Sequence, residues 1–222
     1  MENQPVEAID DELLEQTPLE PRVKLINNLD ELSPESKEVL DRYLKKTNAE
    51  VLKIAADVDH PWREKNTEEH TEWVTQFVKV LGMSPGLLEA WLDKDWYMTN
   101  QSLIAKKDPA LTEMIGIVIG TALECKYCVG WHSAASRHHG AEADKVQLVG
   151  SYEEHRDSFS EMQLAVFDYA SKVAREAYKV TDEEFENLKR WYSDAELVEL
   201  TETACHMASL SKLFTALNVE IW

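Results

Sequence analysis

Four residues of this sequence have the types and spacing that redox chemistry requires. Cys125 and Cys128 form a Cys-x-x-Cys pair, His132 follows four residues after the second cysteine, and Glu113 stands twelve residues before the first. A thiolate is a nucleophile, an imidazole can take a proton from a thiol, and a carboxylate can hold that imidazole in one orientation. On a helix, an i, i+3 pair brings two Cα atoms to about 5 Å, within the range a disulfide tolerates. No charge occurs between Glu113 and Glu124. A polar, redox-capable cluster is therefore set into the most apolar part of the chain.

Whether those residues can meet depends on the backbone between them. On one continuous helix from Pro109 to His138, Glu113 lies about 18 Å along the axis from Cys125 and has no part in its chemistry. A reversal near Ala122 and Leu123 instead gives an antiparallel hairpin, with Glu113 and His132 equidistant from the turn. Gly116 and Gly120 on the first half, and Gly130, Ala134 and Ala135 on the second, are small enough to let two helices approach closely. The hairpin also puts both cysteines in the first turn of a new helix, where free N–H groups and the helix dipole stabilise a thiolate. Cys125, Cys128 and His132, spaced i, i+3 and i+7, then share one face.

The rest of the chain reads as helices punctuated by caps. Ser33-Pro34, Ser84-Pro85 and Asp108-Pro109 each open a helix with a capping residue followed by proline at the first position. The first helix runs to about Lys46. A second, capped by Asn48, ends near Val58, and a loop with His60-Pro61 spans Asp57 to Asn66. The next helix starts at Thr67, carries Trp73, Phe77, Val80 and Leu81 on one face, and closes at Gly82. The helix after Pro85 reaches about Met98 with Leu87, Leu88, Trp91 and Leu92 as its apolar stripe. Later helices are expected over Glu142–Val149, Ser160–Tyr178, Thr181–Tyr192 and Ser193–Leu217, the last three with capping boxes. Strand and hairpin signals are nearly absent, so the fold class is all-α. Residues 21–222 read as a single domain with its motif core at 84–140. Residues 1–20, with seven acids and no base, read as a flexible acidic arm.

Composition narrows the partners. A net charge of -19 over 222 residues works against nucleic acid and against anionic membrane surfaces, since either is approached through a repulsive field. With no charged-then-apolar leader and no apolar run of bilayer length, the expected location is cytoplasmic. Three cysteines are too few and too odd for a secreted disulfide scaffold, so the pair reads as catalytic or metal-binding.

The pattern Glu113-x11-Cys125-x-x-Cys128-x3-His132, followed by Gly140, resembles the alkylhydroperoxidase D-like branch of the carboxymuconolactone decarboxylase superfamily, in particular its peroxidase-related members. The resemblance covers roughly Pro85 to Trp222, and the start PRVKLINNLDELSPES is similar to the family's lead-in. It implies an all-helical fold, a homo-oligomer and thiol-based peroxidase chemistry with no cofactor beyond the dithiol itself. By position, Cys128 is the attacking thiolate, Cys125 resolves it as a disulfide, His132 activates Cys128 and Glu113 completes the proton relay. The expected partners are a small-molecule hydroperoxide and an external thiol or dithiol reductant. Tyr127 stands where the alkylhydroperoxidase D proteins often carry a second histidine; with Trp131 it flanks the motif as a candidate lining of the substrate pocket.

Other readings compete on the residues alone. Cys125, Cys128 and His132 can hold zinc with His138, His139 or His206 as fourth ligand, although no second short-spaced ligand pair exists. Two inert buried thiols are a further possibility. Cys205-His206, in a helical run without a cysteine partner, reads as core packing. Two functional alternatives stay open: a decarboxylase or lactone-processing enzyme, and a redox-sensing or zinc-stabilised assembly protein that binds through its acidic arm.

Overall fold

The computed structural model describes residues 21–26, 29–47, 50–57 and 76–219. The acidic arm, the Asn48 cap, the loop through His60-Pro61, the helix start at Thr67, Trp73 and Trp222 lie outside the described residues. Among the described residues the fold is all-helical, as expected, and no helix is long and apolar enough to cross a membrane.

Local side-chain chemistry sets most helix starts. Ser33 accepts from the Ser36 N–H and opens α1 (Pro34–Lys46), followed by α2 (Glu50–Asp57) and α3 (Gln76–Leu81). In α4 (Pro85–Trp96) the proline stands at the first turn, but the Ser84 side chain makes no capping bond. Asp108 accepts from the Leu111 N–H to start α6 (Pro109–Ala122), after the short α5 (Leu103–Lys107). Then come α7 (Lys126–His138) and α8 (Ala143–Val149). Complete capping boxes start α9 (Glu161–Glu176), α10 (Asp182–Leu188) and α11 (Asp194–Leu217).

Three expectations are corrected. The helix from Thr181 ends at Leu188 rather than Tyr192, because Arg190 and Trp191 form turn bonds to Asn187 and Leu188 that release the chain for the next cap at Ser193. The helix from Pro85 does not run evenly to Met98. It widens after Trp96 into a π-helical turn, Tyr97–Gln101, closed by Ser102 N–H donating to the Tyr97 carbonyl at 2.8 Å. Leu87, assigned to the apolar stripe, is 52% exposed, and Leu88 and Leu92 carry the buried face.

Helix α6 is the centre of the molecule. Every residue from Leu111 to Gly120 is buried, which explains why the run carries no charge: each of its faces meets another helix. Ile115, Ile117 and Ile119 join Val166 and Phe167 of α9 and Leu197 and Leu200 of α11 in one apolar core. Removing such aliphatic side chains from water contributes about 1.5–3 kcal/mol each. A second apolar cluster joins α1, α3, α4 and the end of α11, and it contains Cys125, Tyr127 and Cys128. The cysteine pair thus sits between two cores, at the end of α6.

Candidate active site

The site begins at the turn between α6 and α7. Cys125 N–H donates to the Gly120 carbonyl at 2.7 Å and Glu124 N–H to the Thr121 carbonyl at 3.2 Å, the two bonds of a Schellman motif. Glu124 takes the left-handed conformation that motif requires, with φ 56°, although it is not glycine. Arg175 of α9 donates to the Ala122 carbonyl at 3.0 Å, tying the reversal to the core. Cys125 therefore closes α6 and, as N-cap, opens α7.

The cysteines are bonded to each other, with a Cα–Cα distance of 5.3 Å. Cys125 stands just before the first helical turn rather than within it, and its sulfur accepts from the Cys128 N–H at 3.3 Å. Cys128, in that first turn, has its amide and sulfur at the positive end of the helix dipole, where a thiolate is stabilised once the disulfide is reduced. Both residues are buried.

Helices α6 and α7 lie side by side because glycine permits it. A Cβ on Gly116 would fall 2.5 Å from His132 Nδ1, and one on Gly120 2.9 Å from the Cys128 Cβ. This approach brings His132 Nδ1 to 2.7 Å from Glu113 Oε2. Since a carboxylate only accepts, Nδ1–H is the donor and Nε2 is the basic nitrogen of the neutral ring. Glu113 is only 4% exposed, and that bond is the partner a buried carboxylate needs.

Cys128, His132, Tyr127 and Trp131 line one cleft that holds about 530 Å³ of empty space, open solvent at its mouth included. Tyr127 stacks on Trp131 at 6.2 Å and meets Phe214 edge-on at 5.8 Å. Burial, and then the Asp95 charge, push the Tyr127 phenol up, so it stays protonated. All six residues singled out from the sequence thus lie together.

Four more cleft or sulfur contacts were not legible in the sequence. Ser211 Oγ of α11 lies 3.1 Å from Cys128 Sγ, and because a disulfide sulfur carries no proton the hydroxyl is the donor. Asp95 of α4 receives Tyr43 OH at 3.3 Å and faces His206 Nε2 at 3.3 Å, and these three residues line the cleft with Cys128. The one available signal was polar residues in apolar stripes: Ser211 falls four residues after Met207 on the buried face of α11.

The expectation for Cys205-His206 divides. His206 is buried, but it faces the cleft, whereas Cys205 is exposed. With Val198 and Ser209 it falls on the outer face of α11. Partial burial, and then Glu202, push its thiol up. The histidines proposed as a fourth zinc ligand disperse: His138 pairs with Glu50 at 3.0 Å and His206 with Asp95. Among the described residues no group of three His, Cys, Asp or Glu is placed to hold a metal ion.

Comparison with known proteins finds similarity at two levels, a sequence profile over part of the chain and the overall fold. The sequence profile of the carboxymuconolactone decarboxylase family matches residues 85–151, from the start of α4 to just past α8. No curated protein sequence matches the chain. The fold is similar to that of an uncharacterised peroxidase-related protein from Silicibacter sp. TM1040, with a TM-score of 0.66 at 16% identity over 91% of this chain and 93% of that one. A second peroxidase-related protein, the alkylhydroperoxidase core from Ralstonia eutropha JMP134, gives 0.65 at 16% identity with the same coverage. A protein of unknown function from Agrobacterium tumefaciens gives 0.54 at 21% identity over 63% of this chain and 93% of that one. The segment that carries the cysteine pair thus matches the carboxymuconolactone decarboxylase family profile, and the all-helical fold around it is similar to that of the peroxidase-related proteins.

Proposed function

We propose that the protein is a thiol-dependent peroxidase-like oxidoreductase that reduces organic hydroperoxides through Cys128 and Cys125. The observation that carries this reading is the Glu113–His132 bond beside a Cys125–Cys128 disulfide at a helix N-terminus, with Cys128 and His132 lining one cleft. In the reduced protein, His132 Nε2 takes the Cys128 proton while Glu113 holds the ring and stabilises the imidazolium. The thiolate attacks the terminal oxygen of ROOH, the O–O bond breaks, and ROH leaves after gaining one proton. Cys128 becomes a sulfenic acid. The Cys125 thiol then attacks that sulfur, expelling water and forming the observed disulfide. One ROOH and one dithiol give one ROH, one water and one disulfide. An external thiol or dithiol restores the pair.

The cleft suits an organic peroxide with an apolar group, since Val51, Trp91, Met207 and Leu210 line it beside the polar residues. The decarboxylase named in the family's description would handle a small anionic acid, and Asp95 and Glu113 oppose such a substrate electrostatically. The test is mass spectrometry of reduced protein before and after a hydroperoxide. The Cys125–Cys128 peptide should lose two hydrogens in Cys205→Ser and remain unchanged in Cys128→Ser. Lactone turnover by the Cys125→Ser/Cys128→Ser double variant would overturn the reading in favour of the decarboxylase class.

A further inference from the structure

Two acid–imidazole pairs present their histidines to the cleft beside Cys128, delivered by four different helices. Glu113–His132 comes from α6 and α7, and Asp95–His206 from α4 and α11. His206 is 4% exposed, stacks on Trp91 with ring centroids 5.2 Å apart, and shares Asp95 with the Tyr43 hydroxyl. Burial, and then Asp95, hold the Tyr43 phenol well above its ordinary range, so it stays a donor to that carboxylate. Buried polar groups of this kind are seldom needed for stability, since well-packed apolar residues of similar volume often serve as well or better. Here the trio is placed among Val51, Met207 and Leu210, on the cleft that Cys128 faces.

The proposed reaction has one proton transfer that the Glu113–His132 pair does not cover without strain. As Sγ bonds to the terminal oxygen its negative charge passes to the other oxygen, which in-line attack places on the far side of the O–O bond from the sulfur and from the base that took the thiol proton. The departing alkoxide is meanwhile a strong base. Resting on the peroxidase-like reading above, we infer that His206, oriented by Asp95 and Trp91, is the general acid that protonates the alkoxide oxygen leaving from the bound hydroperoxide. Cys128 Sγ forms a bond to the terminal hydroxyl oxygen, the O–O bond breaks, and its electron pair goes to RO⁻. His206 enters the step as imidazolium; the oxygen takes its proton and leaves as ROH, and the thiol proton kept on His132 leaves the net charge of the protein unchanged. The 3.3 Å separation of His206 Nε2 and Asp95 Oδ1 is long for a charge-assisted bond, as resting catalytic contacts commonly are before substrate binds.

Leaving-group dependence separates this role from a structural one. Reduced protein in a Cys205→Ser background is mixed with tert-butyl hydroperoxide or with peracetic acid, and the loss of the Cys125/Cys128 dithiol is followed. An alkoxide needs a proton to leave, whereas acetate does not. His206→Gln should slow oxidation by tert-butyl hydroperoxide about a hundredfold, the lower range for general acid catalysis, and leave the peracetic acid rate essentially unchanged. Asp95→Asn, which retains His206, should shift the same ratio in the same direction by less, and carries the comparison if His206→Gln fails to fold. Equal slowing with both oxidants would make the trio structural, and no slowing with either would remove it from the reaction; each overturns the inference. If the wild-type dithiol resists tert-butyl hydroperoxide, the peroxidase-like reading fails first, and the inference falls with it.

Discussion

Replacing Gly116 with alanine adds one methyl group at the point where α6 touches the His132 ring. The new Cβ would stand 2.5 Å from His132 Nδ1, the nitrogen bonded to Glu113, with two ring carbons nearer still. Ordinary contact begins at 3.4 Å, so the imidazole must retreat by close to an ångström or the two helices must separate. Either movement breaks the 2.7 Å bond to Glu113 or shifts the ring within the cleft it shares with Cys128. Misplacement on that scale costs about a hundredfold in rate. The stability change is smaller, since overpacking costs about 1–3 kcal/mol and the gain in helix propensity returns about 1 kcal/mol. The assay is dithiol loss in reduced Gly116→Ala after mixing with tert-butyl hydroperoxide, with urea unfolding of the same preparation. A rate about a hundredfold lower in a folded protein is expected. A folded variant at the wild-type rate would refute the claim that the Glu113–His132 geometry drives the chemistry.

Further predictions follow from other contacts of the same frame. Ser211→Ala removes the hydroxyl beside Cys128 Sγ, and alkylation of reduced Cys128 at neutral pH should fall about tenfold, the lower range for a hydrogen bond to a charged group; an unchanged rate would mean the hydroxyl does not stabilise the thiolate. Glu124→Gly should stabilise by about 0.5 kcal/mol, because relief of the left-handed conformation exceeds the entropy glycine adds to the unfolded chain. A lower urea midpoint would contradict that balance. Glu196 is held down to about 2 from 4.5, first by Lys107 and then by the Ser193 N–H. Its folded value is the lower one, so its support of the α11 start is complete above 4.5 and disappears as pH falls toward about 2. The pair is near the surface, so wild type should exceed Glu196→Gln by about 1 kcal/mol or less above that window, and by nothing below it. A difference that grows on acidification would be the wrong sign.

How much could be read in advance depended on whether the determining interaction was local. The boxes Ser160/Gln163, Thr181/Glu184 and Ser193/Glu196 bond within four residues, so their residue types expose them. The break between α6 and α7 was signalled by Gly116, Gly120 and the small residues facing them, and the helices end and begin at Ala122 and Lys126. The turn itself was harder to read, because Glu124 occupies the left-handed position where glycine would have marked it. The π-helical turn after α4 has no such signature, yet it follows directly on the helix that carries Asp95. Asp95, Tyr43 and Ser211 carry no signal of their pairing in the sequence, and His206 reads there only as a zinc ligand or core residue, because their partners lie far off: Tyr43 and Asp95 are 52 residues apart, and Cys128 and Ser211 are 83 apart. No periodicity records such pairings. Cys205 is exposed, against the core-packing expectation, because one apolar residue in a long helix does not reveal which face is outward, whereas Leu200, Ala204 and Met207 define the buried side.

In the proposed reaction Cys128 and Cys125 together deliver two electrons to one peroxide. Its most direct test is stoichiometry: reduced Cys205→Ser protein is mixed with a limiting amount of tert-butyl hydroperoxide, and the alcohol formed and the thiols lost are counted together. One tert-butanol and one Cys125–Cys128 disulfide are expected for each hydroperoxide consumed. Hydroperoxide that survives intact beside a fully reduced dithiol, or alcohol that forms equally in Cys128→Ser, would contradict it.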